Sequence, residues 1–122
     1  MPFINFSNHP SILWNSKQRS AAEEYGDIID LPFPSVSATA SEKQIAEMAD
    51  IWVDKIMELH PTAVLCQGEF TLSFAVIDRL LHLNILVLSA CSDRHSKETI
   101  LDGGTTKKNV EFDFVKFRRF ER

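Results

Sequence analysis

Five residues, Gln67-Gly68-Glu69-Phe70-Thr71, join a short apolar run, Ala63 to Cys66, to a long helical one, Leu72 to Leu83. A strand that hands over to a helix in so few residues commits the chain to α/β architecture, because the helix must pack back on the sheet before the next strand starts. In a parallel sheet such a junction stands at the carboxyl edge, where the helix amino end offers unpaired N–H groups and partial positive charge. Gly68 permits close approach there, and Gln67, Glu69 and Thr71 bring an amide, a carboxylate and a hydroxyl that packing alone does not demand.

The rest of the chain repeats the pattern. Phe3 to Phe6 predicts a first strand, ended by the turn-forming Ser7-Asn8-His9-Pro10-Ser11. A short helix is expected to start at Asn15 or Ser16, Asn15 having Gln18 three residues on in capping-box spacing, and to stop at Gly26. Ile28 to Leu31 is a second strand, closed by Pro32 and Pro34, which remove ladder donors. Ser41 and Gln44 have capping-box spacing, and Ile45, Met48, Ala49, Trp52, Val53 and Ile56 follow the i, i+3, i+4 rhythm of one helical face that ends at His60-Pro61. Ile85 to Ala90 reads as a fourth, buried strand. Lys97 to Leu101 and Asn109 to Phe120 then read as an antiparallel hairpin around Asp102-Gly103-Gly104-Thr105-Thr106. The expected fold is a Rossmann-like three-layer sandwich of four parallel strands with an appended carboxyl-terminal β-hairpin, in one domain spanning residues 1–122.

The patterning also removes several functions. No apolar run reaches the roughly 20 residues of a membrane span, and no secretory leader is evident, so a cytoplasmic protein with no membrane partner is expected. Cys66 and Cys91 are expected to be free thiols. No zinc-ligand spacing, no G-x-G-x-x-G after the first strand and no G-x-x-x-x-G-K-[ST] occurs, so neither a metal nor a common Rossmann cofactor is expected. A net charge of −4 argues against duplex DNA. It leaves room for a small phosphorylated ligand, which needs only a few donors.

If the scheme holds, the carboxyl edge gathers Asn8, His9 and Ser11 after the first strand, Gln67, Gly68, Glu69 and Thr71 after the third, and Ser89, Cys91, Ser92 and Arg94 after the fourth. Each has a plain alternative. His9 can cap a turn, Glu69 can serve the helix dipole, Thr71 can cap the helix, Arg94 can form a salt bridge and Cys91 can pack. Arg94, a fork of donors past a buried strand, is the strongest phosphate candidate. The helical run holding Phe70, Leu72, Phe74 to Ile77, Leu80 and Leu81 reads as core, yet is more apolar than one surface helix needs. Phenylalanines fall on both faces of the last strand. Together these predict a homodimer, the alternative for the aromatic and basic tail (Phe112, Phe114, Phe117, Arg118, Arg119 and Phe120) being a flank for nucleic acid, which the overall acidity disfavours.

The segments Ile4-Asn5-Phe6-Ser7-Asn8-His9-Pro10-Ser11, Tyr25-Gly26-Asp27-Ile28-Ile29-Asp30-Leu31-Pro32-Phe33-Pro34, Gln67 to Thr71 and Phe114-Val115-Lys116-Phe117-Arg118 resemble small stand-alone CRISPR-associated proteins of the Csx type. Such proteins look like minimal relatives of CARF domains, Rossmann-like dimers that bind cyclic oligoadenylate, and some similar small families are ring nucleases. The resemblance implies an antiviral-defence protein that binds cyclic oligoadenylate and cleaves it without metal, the ribose 2′-hydroxyl attacking the adjacent phosphate. Under it Arg94 and the helix end after Glu69 hold the phosphate, His9 or Glu69 is the general acid or base, and Asn8, Ser11, Gln67, Gly68, Thr71 and Ser92 contact the ligand. Two alternatives stand beside it: a sensor or scaffold that binds without turnover, and a nucleoside-processing transferase with Glu69 as nucleophile.

Overall fold

The computed structural model describes residues 1–100, 104 and 106–122. Five strands form one sheet: β1 (Phe3–Ser7), β2 (Ile28–Asp30), β3 (Ala63–Gln67), β4 (Val87–Ile100) and β5 (Thr106–Arg119), in the order β2-β1-β3-β4-β5. The first four run parallel and β5 is antiparallel to β4. Helices α1 (Ser16–Glu23), α2 (Glu42–Glu58) and α3 (Phe70–His82) fill the crossovers, giving a Rossmann-like arrangement. The expected caps are present. Asn15 accepts from the Gln18 N–H, and Ser41 and Gln44 form a reciprocal capping box.

Period-two alternation sorts the strands into two cores. Ile4, Phe6, Val64, Cys66 and Val87 meet α2 and α3, whereas Phe3, Ala63, Leu65 and Leu88 meet Trp14 and Ala22 on the α1 side. Among the described residues, no helix is long and apolar enough to cross a membrane.

One strand differs from expectation. The predicted fourth strand and the first strand of the predicted hairpin are a single continuous strand, β4, of 14 residues. Its parallel pairing to β3 covers only Val64↔Val87 and Leu65↔Leu88, while its pairing to β5 runs from Leu88↔Arg119 to Ile100↔Thr106. Antiparallel partnership carries β4 past the carboxyl edge after its apolar residues run out. The expected turn at Asp102 to Thr106 falls largely outside the described residues.

A register shift between Cys91 and Ser92, paired with Lys116 and Phe114, leaves Val115 as the extra residue of a β-bulge. The bulge turns Phe114 and Phe117 to the same side, where their rings stand 4.9 Å apart and Phe117 reaches Phe3 at 5.3 Å. Phe120 packs on the opposite core. The phenylalanines on both faces of β5 are therefore used largely within the chain itself, and only Phe112, at 68% exposure, is left for a partner.

Candidate functional site

In an open α/β sheet the ligand crevice lies where neighbouring strands connect in opposite directions, here between β1 and β3. Both sides of that crevice are filled. On the α2–α3 side the loop after β2 folds over it: Phe33 donates its N–H to the Ser7 carbonyl, stacks on Phe6 at 4.7 Å and is 5% exposed. A Cβ on Gly68 would lie 2.5 Å from three atoms of the Phe33 ring. That ring, rather than close backbone contact, is the reason for glycine at this position.

On the α1 side a polar network closes the crevice. The buried Asn5 donates through Nδ2 to the His9 carbonyl and to the Asp30 carboxylate, each at 2.9 Å, and its Oδ1 accepts from the Ser7 hydroxyl at 2.6 Å. Ser11 donates its N–H and hydroxyl to Asp30, and the Trp14 indole donates to the His9 carbonyl at 3.1 Å. Ser11, expected at a ligand, serves the fold instead, while Asn8 and the His9 side chain stay on the exposed rim. Residue type alone does not reveal this network, because its members Asn5 and Asp30 lie on different strands, 25 residues apart.

Glu69 caps α3. Its carboxylate accepts from the backbone N–H groups of Thr71 and Leu72 at 2.9 Å, and from the Thr71 hydroxyl at 2.7 and 2.8 Å. The Leu72 N–H, then the Thr71 hydroxyl and N–H, hold the Glu69 carboxyl below the usual carboxylate range. So engaged, it is a poor base and a poor nucleophile. Glu69→Gln is expected to cost about 1 kcal/mol at neutral pH by urea unfolding. The lowered group stabilises the fold above its ordinary value of 4.5, and that contribution is lost as pH falls through the lower folded value. The gap between wild type and variant should therefore close in acid.

The open cleft lies one strand further along. A volume of about 660 Å³ opens between α3, the end of β3 and the segment after β5, with Cys66, Gln67, Gly68, Ser73 and Ser89 among its lining residues. Phe70 and Phe74 stand at its mouth, 91% and 72% exposed, and Phe120 lines it as well. Both α3 residues were expected in the core. Their helix turns Leu72, Val76 and Leu80 inward instead, and the i, i+4 pair faces out. Gln67 ends the β3 ladder with its side chain, Oε1 accepting from the Ala90 N–H at 3.3 Å. The Ser73 hydroxyl, buried beside the Cys66 thiol, has no full hydrogen-bond partner.

Burial pushes the Cys66 thiol up to about 12. With iodoacetamide at pH 8, Cys91, which is partly exposed, is expected to be alkylated in the native protein and Cys66 only after unfolding, as peptide mass mapping would show. Equal labelling of both would contradict the buried placement.

A shallow hollow at the bulge continues the cleft. Its lining includes Ser89, Cys91, Ser92, Lys116 and Arg118, and Ser89 belongs to both spaces. Because Lys116 pairs with Cys91 and Arg118 with Ser89, both cations project on the α3 side of the sheet. The structure therefore brings Gln67, Gly68, Ser89 and Ser92 to one continuous surface. It leaves Asn8, His9, Ser11, Glu69, Thr71 and Arg94 outside that cleft and hollow. Arg94 is exposed four residues past Ala90, about 13 Å further along β4. Lys116 and Arg118 belong to the basic, aromatic tail that the sequence sets out, and the alternation Lys116, Arg118, Phe120, Arg122 puts them on one face of it. Among the described residues, no cluster of three or more His, Cys, Asp or Glu suits a metal ion.

The chain belongs to the family described as "Uncharacterized protein MJ1673 family", whose model matches residues 1–118. No curated protein and no solved structure matches it.

Proposed function

We propose that this member of the MJ1673 family is a CRISPR-associated protein that binds cyclic oligoadenylate in the cleft beside α3. The observation that carries the reading is the continuity, at Ser89, of an aromatic-walled cleft with a shelf bearing Lys116 and Arg118. Phe70, Phe74 and Phe120 offer faces for a purine, and Gln67 and Ser89 offer polar groups to its edge. Lys116 and Arg118 then meet the phosphate, the place first expected of Arg94. The ligand class comes from the resemblance to Csx-type proteins, and its two-fold symmetry suits a homodimer. Such a dimer, formed at the carboxyl edge, would cover the exposed Ile12, Leu13 and Phe112.

Ring cleavage is proposed as the accompanying reaction. The 2′-oxygen bonds to phosphorus and the bond from phosphorus to the 5′-oxygen breaks. His9, on the exposed rim of the same edge but outside its own chain's cleft, takes the 2′-hydroxyl proton where the dimer brings it to the ring, and water protonates the leaving 5′-oxygen. Glu69 is the weaker choice for that role, because its carboxylate already accepts from the α3 N–H groups and the Thr71 hydroxyl, bonds that also count against the nucleoside-transferase reading.

The test incubates the purified protein with cyclic tetra- and hexa-adenylate in EDTA, with calorimetry for binding and chromatography for products. Heat together with linear product ending in a cyclic phosphate is expected. Heat without product would select the sensor reading. No heat with either ring would overturn the proposal.

A further inference from the structure

Lys116, Arg118, Phe120 and Arg122 recur at every second residue, and their surroundings place them on one side of the sheet. Lys116 and Arg118 lie beside Cys91 and Ser89, Phe120 packs on the α3-side core, and Arg122 lines the cleft with its guanidinium 3.1 Å from His82 Nε2. Three cations thus border the groove, Lys116 and Arg118 on β5 and Arg122 in the segment that follows the strand's end at Arg119. α3 runs alongside in the same direction for its 13 residues, a length of about 20 Å. Its Phe70 and Phe74 face the cations across the cleft, highly exposed.

We infer that this groove binds a linear, single-stranded oligonucleotide segment along its whole length. A repeating cation beside aromatic faces is the pattern that holds single strands, the cations following the phosphates and the rings stacking the bases with little regard to sequence. Three cations suit a segment of about three nucleotides. The step from Lys116 to Arg118, two strand residues or about 7 Å, is of the order of the spacing between successive phosphates of an extended strand. A duplex would keep its bases stacked away from Phe70 and Phe74.

Three acids also line the groove, one of them, Asp93, in the hollow beside Ser92. Asp78 is directed at His82, with Oδ1 3.5 Å from Nδ1, and Glu121 stands out of phase with the three cations. The inference goes beyond the cyclic-ligand reading, because it uses the lower half of the groove at His82 and Arg122, which a base near Gln67 and a phosphate near Arg118 leave empty.

The experiment measures fluorescence anisotropy of labelled linear hexa-adenylate and hexa-uridylate with the full chain at several salt concentrations, beside calorimetry with cyclic tetra-adenylate. Both linear probes are expected to bind. Arg122→Ala should lower the salt slope by about 1 and weaken linear binding about tenfold while leaving the cyclic ligand within twofold. Phe74→Ala should weaken linear binding by roughly tenfold or more, and Glu121→Lys should tighten it.

No anisotropy change with folded wild-type protein would overturn the inference. So would linear binding that is indifferent to both Arg122 and Phe74. A wild-type dimer that binds no linear probe and becomes monomeric in the Phe70→Ser/Phe74→Ser double variant would assign the face to a second copy and overturn it equally. Linear binding without cyclic binding would support the inference and sink the cyclic-ligand reading.

Discussion

Replacing Gly68 by alanine is expected to lower the melting temperature by roughly 5 to 10 °C, the consequence of forcing a methyl group into an occupied site at a cost of about 1 to 3 kcal/mol. The new Cβ would lie 2.5 Å from the Phe33 ring. That ring has little room to retreat, since it stacks on Phe6 at 4.7 Å and Phe6 in turn faces Trp52 at 5.4 Å. The coupling is testable. Phe33→Ala alone should cost about 3 to 5 kcal/mol. In the double variant the alanine at 68 meets no ring, so the combined loss should fall short of the sum by at least about 1 kcal/mol. Strict additivity in urea unfolding would mean that the clash is relieved elsewhere and that Phe33 does not seal the crevice between β1 and β3.

The same contact shows why part of the site was hidden in the sequence. Gly68 stood out as a glycine between strand and helix, but its neighbour Phe33 lies 35 positions away, in a segment that reads only as a strand ended by prolines. Such a plug exists only once the sheet order puts the loop after β2 over the end of β3. Local signals fared better: the caps at Asn15 and Ser41 lie within three residues of their partners, and the helical stripe of α2 carries its own period. The run that holds Phe70 and Phe74 is apolar enough to read as core throughout, but the helical phase of α3 buries Leu72, Val76 and Leu80 and turns the two phenylalanines outward. The length of β4 was missed for the opposite reason. After Ala90 its residues are polar, and what keeps them extended is the ladder to β5, a feature of pairing rather than composition.

Charge reversal on the shelf decides which cations meet the ligand. The Lys116→Glu/Arg118→Glu double variant is expected to weaken cyclic tetra-adenylate binding by at least about 100-fold, since each lost charge-assisted contact is worth about 1.5 to 3 kcal/mol and reversal adds repulsion. Arg94→Glu is expected to change it by less than about threefold, because Arg94 does not line the shelf and, three residues past Cys91 on β4, falls on the opposite face of the sheet from Lys116 and Arg118. Both sets of residues are exposed on strands, so neither change should unfold the protein, and circular dichroism melts would confirm it. The opposite ranking, with Arg94 dominant, would move the phosphate from the bulge to the projecting part of β4 and detach it from the aromatic cleft. Phe70 and Phe74 could then no longer hold the base while that phosphate is bound, because the two contacts would lie further apart than one nucleotide spans. The affinity of the double variant therefore tests the phosphate site and the base site together, through the short distance at Ser89 that joins them.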